Sequence, residues 1–141
     1  MNAIDNKQLL QRIFEGLANR DGTLLVESMA DDVCWRVIGT TKWSGTFSGK
    51  DAVMRELLAP LRQNLVQRSR TVAQRFLADG DFVVVEARGD NETRRALPYN
   101  NTYCFVFRLS GGKIREITEY CDTDLVARVL DDRAPAVASA G

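Results

Sequence analysis

Two long apolar runs joined by a pair of glycines occupy the stretch 101–122, NTYCFVFRLSGGKIREITEYCD. This pattern predicts two β-strands in a hairpin that turns at Gly111 and Gly112, because short glycine turns suit the twist of paired strands. A two-glycine turn sets the cross-strand pairs, which away from the turn are Arg108 with Arg115, Val106 with Ile117 and Cys104 with Glu119. Both faces of the hairpin are largely apolar, so we expect both to be covered. Glu119 is the exception, a carboxylate among apolar neighbours.

The N-terminal half has the apolar spacing of helices. It predicts a helix over 5–20 with Asp5 as its N-cap, a shorter helix ending near Ala30, and a third over about 50–65. Pro60 is expected to kink this third helix.

The remaining segments predict strands and connections. A strand is expected over 33–38 and a loop over 40–48. The chain is strand-rich from residue 66 until a final helical turn that Asp122 caps. Helices followed by strands are typical of an α+β fold, here a curved antiparallel sheet with helices on one side. We predict a single domain over 1–131 and a disordered tail over 132–141.

The amino-acid composition limits the classes of molecule to which the protein is expected to bind. The 141 residues carry no formal net charge, which argues against nucleic acid or an anionic membrane as a partner. No apolar run approaches the ~20 residues needed to span a bilayer, and the N-terminus lacks the pattern of a secretory signal. We therefore expect a cytoplasmic protein.

The chain contains no histidine and three cysteines at no metal-like spacing. Ser-His-Asp and Cys-His catalysis are excluded, and the commonest ligand of zinc is missing. We predict neither a metal nor a cofactor. Acid–base chemistry would have to use a carboxylate, Tyr, Lys or Cys with a shifted pKa.

Three segments, MADDVCWRVIGT, VVVEARG and YNNTYCFVFRLSGGKIREITEYCDT, resemble the SnoaL-like branch of the NTF2-like superfamily. This branch is related to the ketosteroid isomerases, and the resemblance extends from Lys7 to Leu130. It implies a cone-shaped fold in which a curved antiparallel sheet and three helices of the N-terminal half enclose a small-molecule pocket. It also implies a homodimer through the outer face of the sheet.

The resemblance does not imply the ketosteroid isomerase mechanism for this chain. In those enzymes a general-base Asp, an oxyanion-hole Tyr and a second acid act together. The matching positions here are Val37, Ile13 and Cys104, so the chain is not expected to be a conventional ketosteroid isomerase.

For two other activities of the superfamily, more of the catalytic residues have counterparts in this chain. The residues with which epoxide hydrolases position water match Trp35 and Val37, their basic Asp matches Glu119, and their Arg-x-Asp pair matches Glu86-x-Arg88 with the charges reversed. The polyketide cyclases use one acidic residue near the end of the sheet, to which either Glu119 or Asp122 corresponds.

This correspondence implies a catalytic group made of Glu119, Arg88 and Glu86. The implied pocket wall comprises Trp35, Val37, Ile13, Phe14, Cys104, Val106, Ile117 and Cys121. Two interpretations of Glu119 stay open, a general base with a raised pKa or a structural ion pair with Arg88.

The other face of the hairpin carries Tyr103, Phe105 and Phe107, which are interpreted as the homodimer contact. Tyr99 and Asp122 lie near the far end of the hairpin, either at the mouth of the pocket or in a polar rim of the dimer.

Two functions from different classes follow. The first is a cofactor-free isomerase, cyclase, dehydratase or hydrolase with Glu119 as base, acting on a mostly apolar polyketide-, terpenoid- or steroid-like molecule. The alternative is a non-catalytic ligand-binding or dimerisation module of the same fold.

Overall fold

The computed structural model describes residues 1–131. Its helices are α1 (Ala3–Ala18), α2 (Thr23–Ser28), α3 (residues 50–64) and α4 (Thr123–Val129). Its strands are β1 (Met29–Val37), β2 (Gly45–Ser48), β3 (Thr71–Asp79), β4 (Phe82–Gly89), β5 (Thr102–Ser110) and β6 (Lys113–Cys121). The predicted α+β class, with three helices in the N-terminal half, is confirmed. The predicted tail over 132–141 lies outside the described residues.

The six strands form one curved sheet in the order β2-β1-β6-β5-β4-β3. Every neighbouring pair is antiparallel, as predicted, except that β1 runs parallel to β6. Parallel neighbours need a long crossover, and here most of the chain connects the two strands. This pairing sets Val37 beside Glu119 and Trp35 beside Ile117.

The segment 40–48 is not the simple loop that was predicted. Its second half is β2, which pairs with β1 and sets the buried Phe47 opposite Trp35. A four-residue strand is shorter than the patterns by which sequence predicts strands.

The hairpin of β5 and β6 turns where predicted. Gly111 and Gly112 have φ of 60° and 75°, and Ser110 pairs with Lys113. The predicted register beyond the turn is wrong, because β6 contains a bulge at Arg115. The bulge inserts one extra residue and moves every later residue of β6 to the opposite face. The pairs are therefore Arg108 with Glu116, Phe107 with Ile117, Phe105 with Glu119 and Tyr103 with Cys121.

Electrostatics favour the register with the bulge over the predicted one. The predicted register would have set Arg108 directly opposite Arg115, and like charges at that distance are destabilising. In the structure Arg108 forms an ion pair with Glu116 at 2.8 Å, and Arg115 forms another with Asp32 at 3.1 Å.

α1 begins earlier than predicted. Its N-cap is Asn2, whose side chain accepts a hydrogen bond from the backbone N–H of Asp5 at 2.9 Å. The Asp5 carboxylate accepts the reciprocal bond from the backbone N–H of Asn2 at 3.3 Å, so Asp5 completes a capping box rather than capping the helix.

α3 is not a regular helix. It comprises Lys50–Ala52, a π-helical turn over Val53–Leu58, and Ala59–Asn64. Pro60 lacks an N–H, and its ring would collide with the carbonyl four residues earlier. The wider π turn, in which the Ala59 N–H bonds the Met54 carbonyl, absorbs this collision. The disturbance predicted at Pro60 thus takes the form of a π turn.

The helices α1 to α3 cover the concave face of the sheet. Phe14 of α1 contacts Phe105 and Phe107 of β5, with ring centroids 6.0 and 6.1 Å apart. Within residues 1–131, no helix is long and apolar enough to cross a membrane.

Candidate functional site

A cavity of about 760 Å³ lies between the concave face of the sheet and the helices. Its wall is mainly apolar. The sheet contributes Trp35, Val37, Tyr103, Phe105 and Phe107, and the helices contribute Phe14, Leu17, Leu25, Val26, Met54, Leu57, Leu58, Leu61 and Val126. Trp43, from the connection between β1 and β2, closes one side and donates its indole N–H to the Asp131 carbonyl at 2.9 Å.

Glu119 projects from β6 into this cavity. The side chain is half-buried, because it faces a hollow that lies between the sheet and the helices. Its Oε1 accepts a hydrogen bond from the Trp35 indole N–H at 3.2 Å. Burial raises the pKa of Glu119 to about 7, against smaller opposing effects of hydrogen bonds from Trp35 and Cys121. A carboxyl group with this pKa can accept and return a proton near neutral pH.

Two tyrosines share the wall with Glu119. The Tyr99 hydroxyl oxygen accepts a hydrogen bond from the amide of Asn101 at 3.3 Å, and the Tyr103 hydroxyl lies 3.5 Å away. Asn101 is fully buried and also binds the backbone of Asp122, which ties it to the start of α4. Burial raises the pKa of both phenols, so each keeps its proton.

Five of the residues predicted to form the site line the cavity: Phe14, Trp35, Val37, Tyr99 and Glu119. Cys121 is not part of the wall but lies beside Glu119, and its thiol donates to the carboxylate. Burial and the Glu119 charge raise the pKa of that thiol to about 12. Ile13 and Ile117 belong to the packed core, with 1% of their surface exposed.

Other residues predicted for the pocket do not line the cavity. Cys104 and Val106 lie on the outer face of the sheet, because side chains alternate along β5 and Tyr103, Phe105 and Phe107 face the cavity. Glu86, which pairs with Cys104, forms an ion pair with Arg75.

Arg88 and Asp122 are also misplaced. Arg88 is exposed and does not approach Glu119, so the ion pair proposed between them is absent. Asp122 is exposed, and its carboxylate caps α4 by accepting from the Leu125 N–H at 3.2 Å. Glu119 is therefore the acidic residue of the cavity at this end of the sheet.

Because the predicted register of β5 and β6 was wrong, the prediction also missed residues that belong to the site. Tyr103, Phe105 and Phe107 form the floor of the cavity and not the predicted dimer contact. The repulsion between Arg108 and Arg115 was the signal that could have revealed the bulge. Trp43 lacked a comparable signal, since it lies in a segment that was interpreted as a loop.

The family model of the SnoaL-like domain matches residues 10–117. The chain belongs to the SnoaL-like family. No curated protein matches the chain.

Solved structures share the fold of this SnoaL-like protein at low sequence identity. An NTF2-like protein from Burkholderia xenovorans LB400 is 22% identical with a TM-score of 0.71, over 93% of this chain and 99% of that one. A proposed SnoaL-like polyketide cyclase from Jannaschia sp. CCS1 is 17% identical with a TM-score of 0.74, over 94% of each chain. TerC, co-crystallised with polyporic acid, is 22% identical with a TM-score of 0.74, over 88% of this chain and 96% of that one.

Within residues 1–131 of the SnoaL-like chain, no group of three or more Cys, Asp or Glu side chains is arranged to hold a metal ion. The absence of a cofactor stays a prediction from the sequence.

The buried carboxyl group should make the stability of this SnoaL-like protein depend on pH. Because its pKa rises from 4.5 to about 7 on folding, the folded state binds this proton more tightly than the unfolded state. The contribution of Glu119 is therefore fully present below about pH 4.5, is lost as the pH rises towards 7, and is constant above that. The expected loss is about 3 kcal/mol of unfolding free energy.

Urea unfolding of the wild type and of Glu119→Gln, at about pH 4.5 and about pH 8, isolates this contribution from the other titrating groups. The difference in unfolding free energy between the two proteins should change by about 3 kcal/mol between these pH values. Parallel pH profiles would show that the carboxyl group titrates normally.

Proposed function

We propose that this SnoaL-like protein is a cofactor-free enzyme in which Glu119 is the general base, acting on a mostly apolar small molecule. The observation that carries the proposal is a buried carboxyl group with a pKa near 7, inside an apolar cavity and without a cationic partner. A carboxylate kept for stability alone would have a partner that lowers its pKa.

The surroundings of Glu119 suit the removal of a proton from an acidic C–H or O–H bond. The Trp35 indole holds one carboxylate oxygen and thereby orients the group. The Cys121 thiol also donates to the carboxylate, but the group keeps lone pairs beyond these two bonds. With them Glu119 can take a proton and return it to a different atom, as an isomerisation, ring closure or dehydration requires.

Tyr99 can stabilise the negative charge that develops on the substrate. Its oxygen is approached by the Asn101 amide and the Tyr103 hydroxyl, so its own hydrogen is the one left to point into the cavity. A phenol in an apolar wall is a strong donor to an enolate or alkoxide oxygen. Tyr99 would be the electrophilic partner of Glu119.

Proton exchange tests this function without knowledge of the final product. The protein is incubated in D₂O with a panel of apolar ketones, β-diketones and phenols, and deuterium incorporation is followed by mass spectrometry. Catalysed exchange in one of these classes identifies the acidic bond that is attacked. If exchange is absent throughout while ligands still bind, the alternative, a non-catalytic binding module, is favoured.

The likeness to TerC supports an organic ligand, since that protein was co-crystallised with polyporic acid. For this chain a polyketide-, terpenoid- or steroid-like molecule remains part of the proposal. A cytoplasmic location is likewise proposed from the sequence.

We also propose a homodimer, through a different set of residues from the set first predicted. Tyr103, Phe105 and Phe107 are buried under the helices and cannot meet a partner. The outer face of the sheet carries Val84 of β4, Val106 of β5 and Tyr120 of β6, of which Tyr120 is 44% exposed.

A charge at the centre of this outer face should separate the subunits. Val106→Arg is expected to convert a dimer to a monomer, because an unpaired buried charge is costly at an interface. Sedimentation velocity at tens of micromolar measures this, with Ile4→Arg on the exposed side of α1 as the control. A wild-type monomer under these conditions would contradict the proposal.

A further inference from the structure

Three arginines line the cavity in addition to Glu119. Arg20 lies in the connection between α1 and α2, Arg62 in the last turn of α3, and Arg68 just before β3. The lining residues contain only two carboxylates, Glu119 and Glu27. The wall of an otherwise apolar cavity therefore has an excess of positive charge.

These arginines are not neutralised by ion pairs. Seven other arginines within residues 1–131 form salt bridges with carboxylates, whereas these three do not. Arg20 donates to the Arg68 carbonyl at 2.7 Å, and Arg62 donates to the Leu65 carbonyl at 3.1 Å. Backbone carbonyls orient a guanidinium group and leave its charge in place. Arg68 also interacts with the exposed Asp21, but the pKa of that carboxyl group is lowered mainly by hydrogen bonds from Thr23.

The backbone at Arg20 provides an independent observation. Its φ is 61°, in the left-handed region, and within residues 1–131 the only other non-glycine residue with positive φ is Ala96. A helix end of this kind favours glycine. An arginine held in this conformation, with its side chain fixed on the rim of a cavity, points to a role for the side chain.

Arg68 and Glu119 lie at different places across the sheet. Arg68 precedes β3, and β3 is separated from β6 by β4 and β5. Three strand spacings amount to about 14 Å, which leaves room for an apolar body roughly 10 Å long between the two groups.

We infer that the ligand of this cavity is an amphipathic organic anion. Its carboxylate, or an equally acidic phenol or enol, binds Arg20, Arg62 and Arg68, while its apolar body fills the cavity and its reacting end lies at Glu119. Guanidinium groups bind such anions through paired N–H donors. This inference rests on the proposed function and adds the chemical class of the substrate to it.

Two fluorescent probes that differ by one charge test the inference. Anilinonaphthalene sulfonate and N-phenyl-naphthylamine share their rings, and only the first carries an anionic group. We expect the sulfonate to bind the wild type at least tenfold more tightly than the neutral amine. Salt should weaken the binding of the sulfonate and leave the amine unaffected.

The variants Arg20→Gly, Arg62→Gln and Arg68→Gln should each weaken sulfonate binding by about three- to tenfold and leave amine binding unchanged. Arg20→Gly also relieves the backbone strain, so the variant should fold at least as well as the wild type. Arg36→Gln, an exposed arginine on the outer face of β1, is the matched control and should have no effect. Val37→Phe, which fills the cavity beside Glu119, should weaken both probes.

Equal affinities for the two probes, or equal losses of both in the arginine variants, would overturn the inference. It would also be overturned if Val37→Phe left sulfonate binding intact, because the anion would then lie on the surface. In each of these cases proton exchange by Glu119 could still be observed. Loss of exchange in the wild type, with the charge preference intact, would instead refute the proposed catalysis alone.

Discussion

Glu119→Gln is expected to slow catalysed proton exchange by about 10²–10⁴-fold, the usual contribution of a positioned general base. Glutamine has nearly the same shape, and its side-chain oxygen can still accept the Trp35 N–H. What it cannot do is take up a proton. The loss should therefore appear in kcat, with ligand affinity little changed.

The same variant separates a catalytic from a structural role. If Glu119 were a stabilising ion-pair partner, its replacement would cost a few kcal/mol. The structure shows no such pair, and above pH 7 the variant should be at least as stable as the wild type, because burial disfavours the ionised form. Glu116→Gln is the matched control. Glu116 lies on the same strand but faces outward against Arg108, and its loss should leave exchange unaltered. Exchange rates for Glu119→Gln within threefold of the wild type would exclude Glu119 as the base.

Phe107→Ala should lower the free energy of unfolding by about 3–5 kcal/mol, the usual cost of truncating a buried phenylalanine. The Phe107 ring has 2% of its surface exposed and contacts Phe14 and Phe105. Because it also borders the cavity, part of the hole can merge with existing space, which favours the lower end of that range.

Phe82→Ala is the matched control for this measurement. Phe82 is 45% exposed at the start of β4, so its truncation should change the unfolding free energy by less than about 1 kcal/mol. Denaturant unfolding of both variants also tests the register of the hairpin. In the register predicted from sequence, Phe107 would face a partner subunit, and Phe107→Ala would then shift the dimer equilibrium and leave the stability of the subunit nearly unchanged.

Local signals in the chain were sufficient for most of the architecture. Leu9, Leu10, Ile13 and Phe14 recur at helical spacing, and all four are buried in α1. Gly111 and Gly112 specify a turn that few other residues can form. These features depend on neighbours in sequence, so sequence analysis could find them.

Only some of the residues that form the site could be predicted from the sequence. The sequence predicted a special role for Glu119, because a carboxylate among apolar residues has to be paired, exposed or functional. In the structure Glu119 does lie in the cavity. Its neighbours could not be derived, because the face on which each residue of β5 lies depends on one bulge in β6.

What the sequence determined by itself was therefore the set of elements and the presence of a candidate base. The tertiary structure decided which groups meet that base. The bulge at Arg115 moved Tyr103, Phe105 and Phe107 into the cavity and Cys104 out of it. The parallel pairing of β1 with β6 brought Trp35 to Glu119 across 84 positions of sequence. Both arrangements pair charged groups and backbone hydrogen-bonding groups of segments that are distant in sequence. A local pattern of residues cannot predict interactions of this kind.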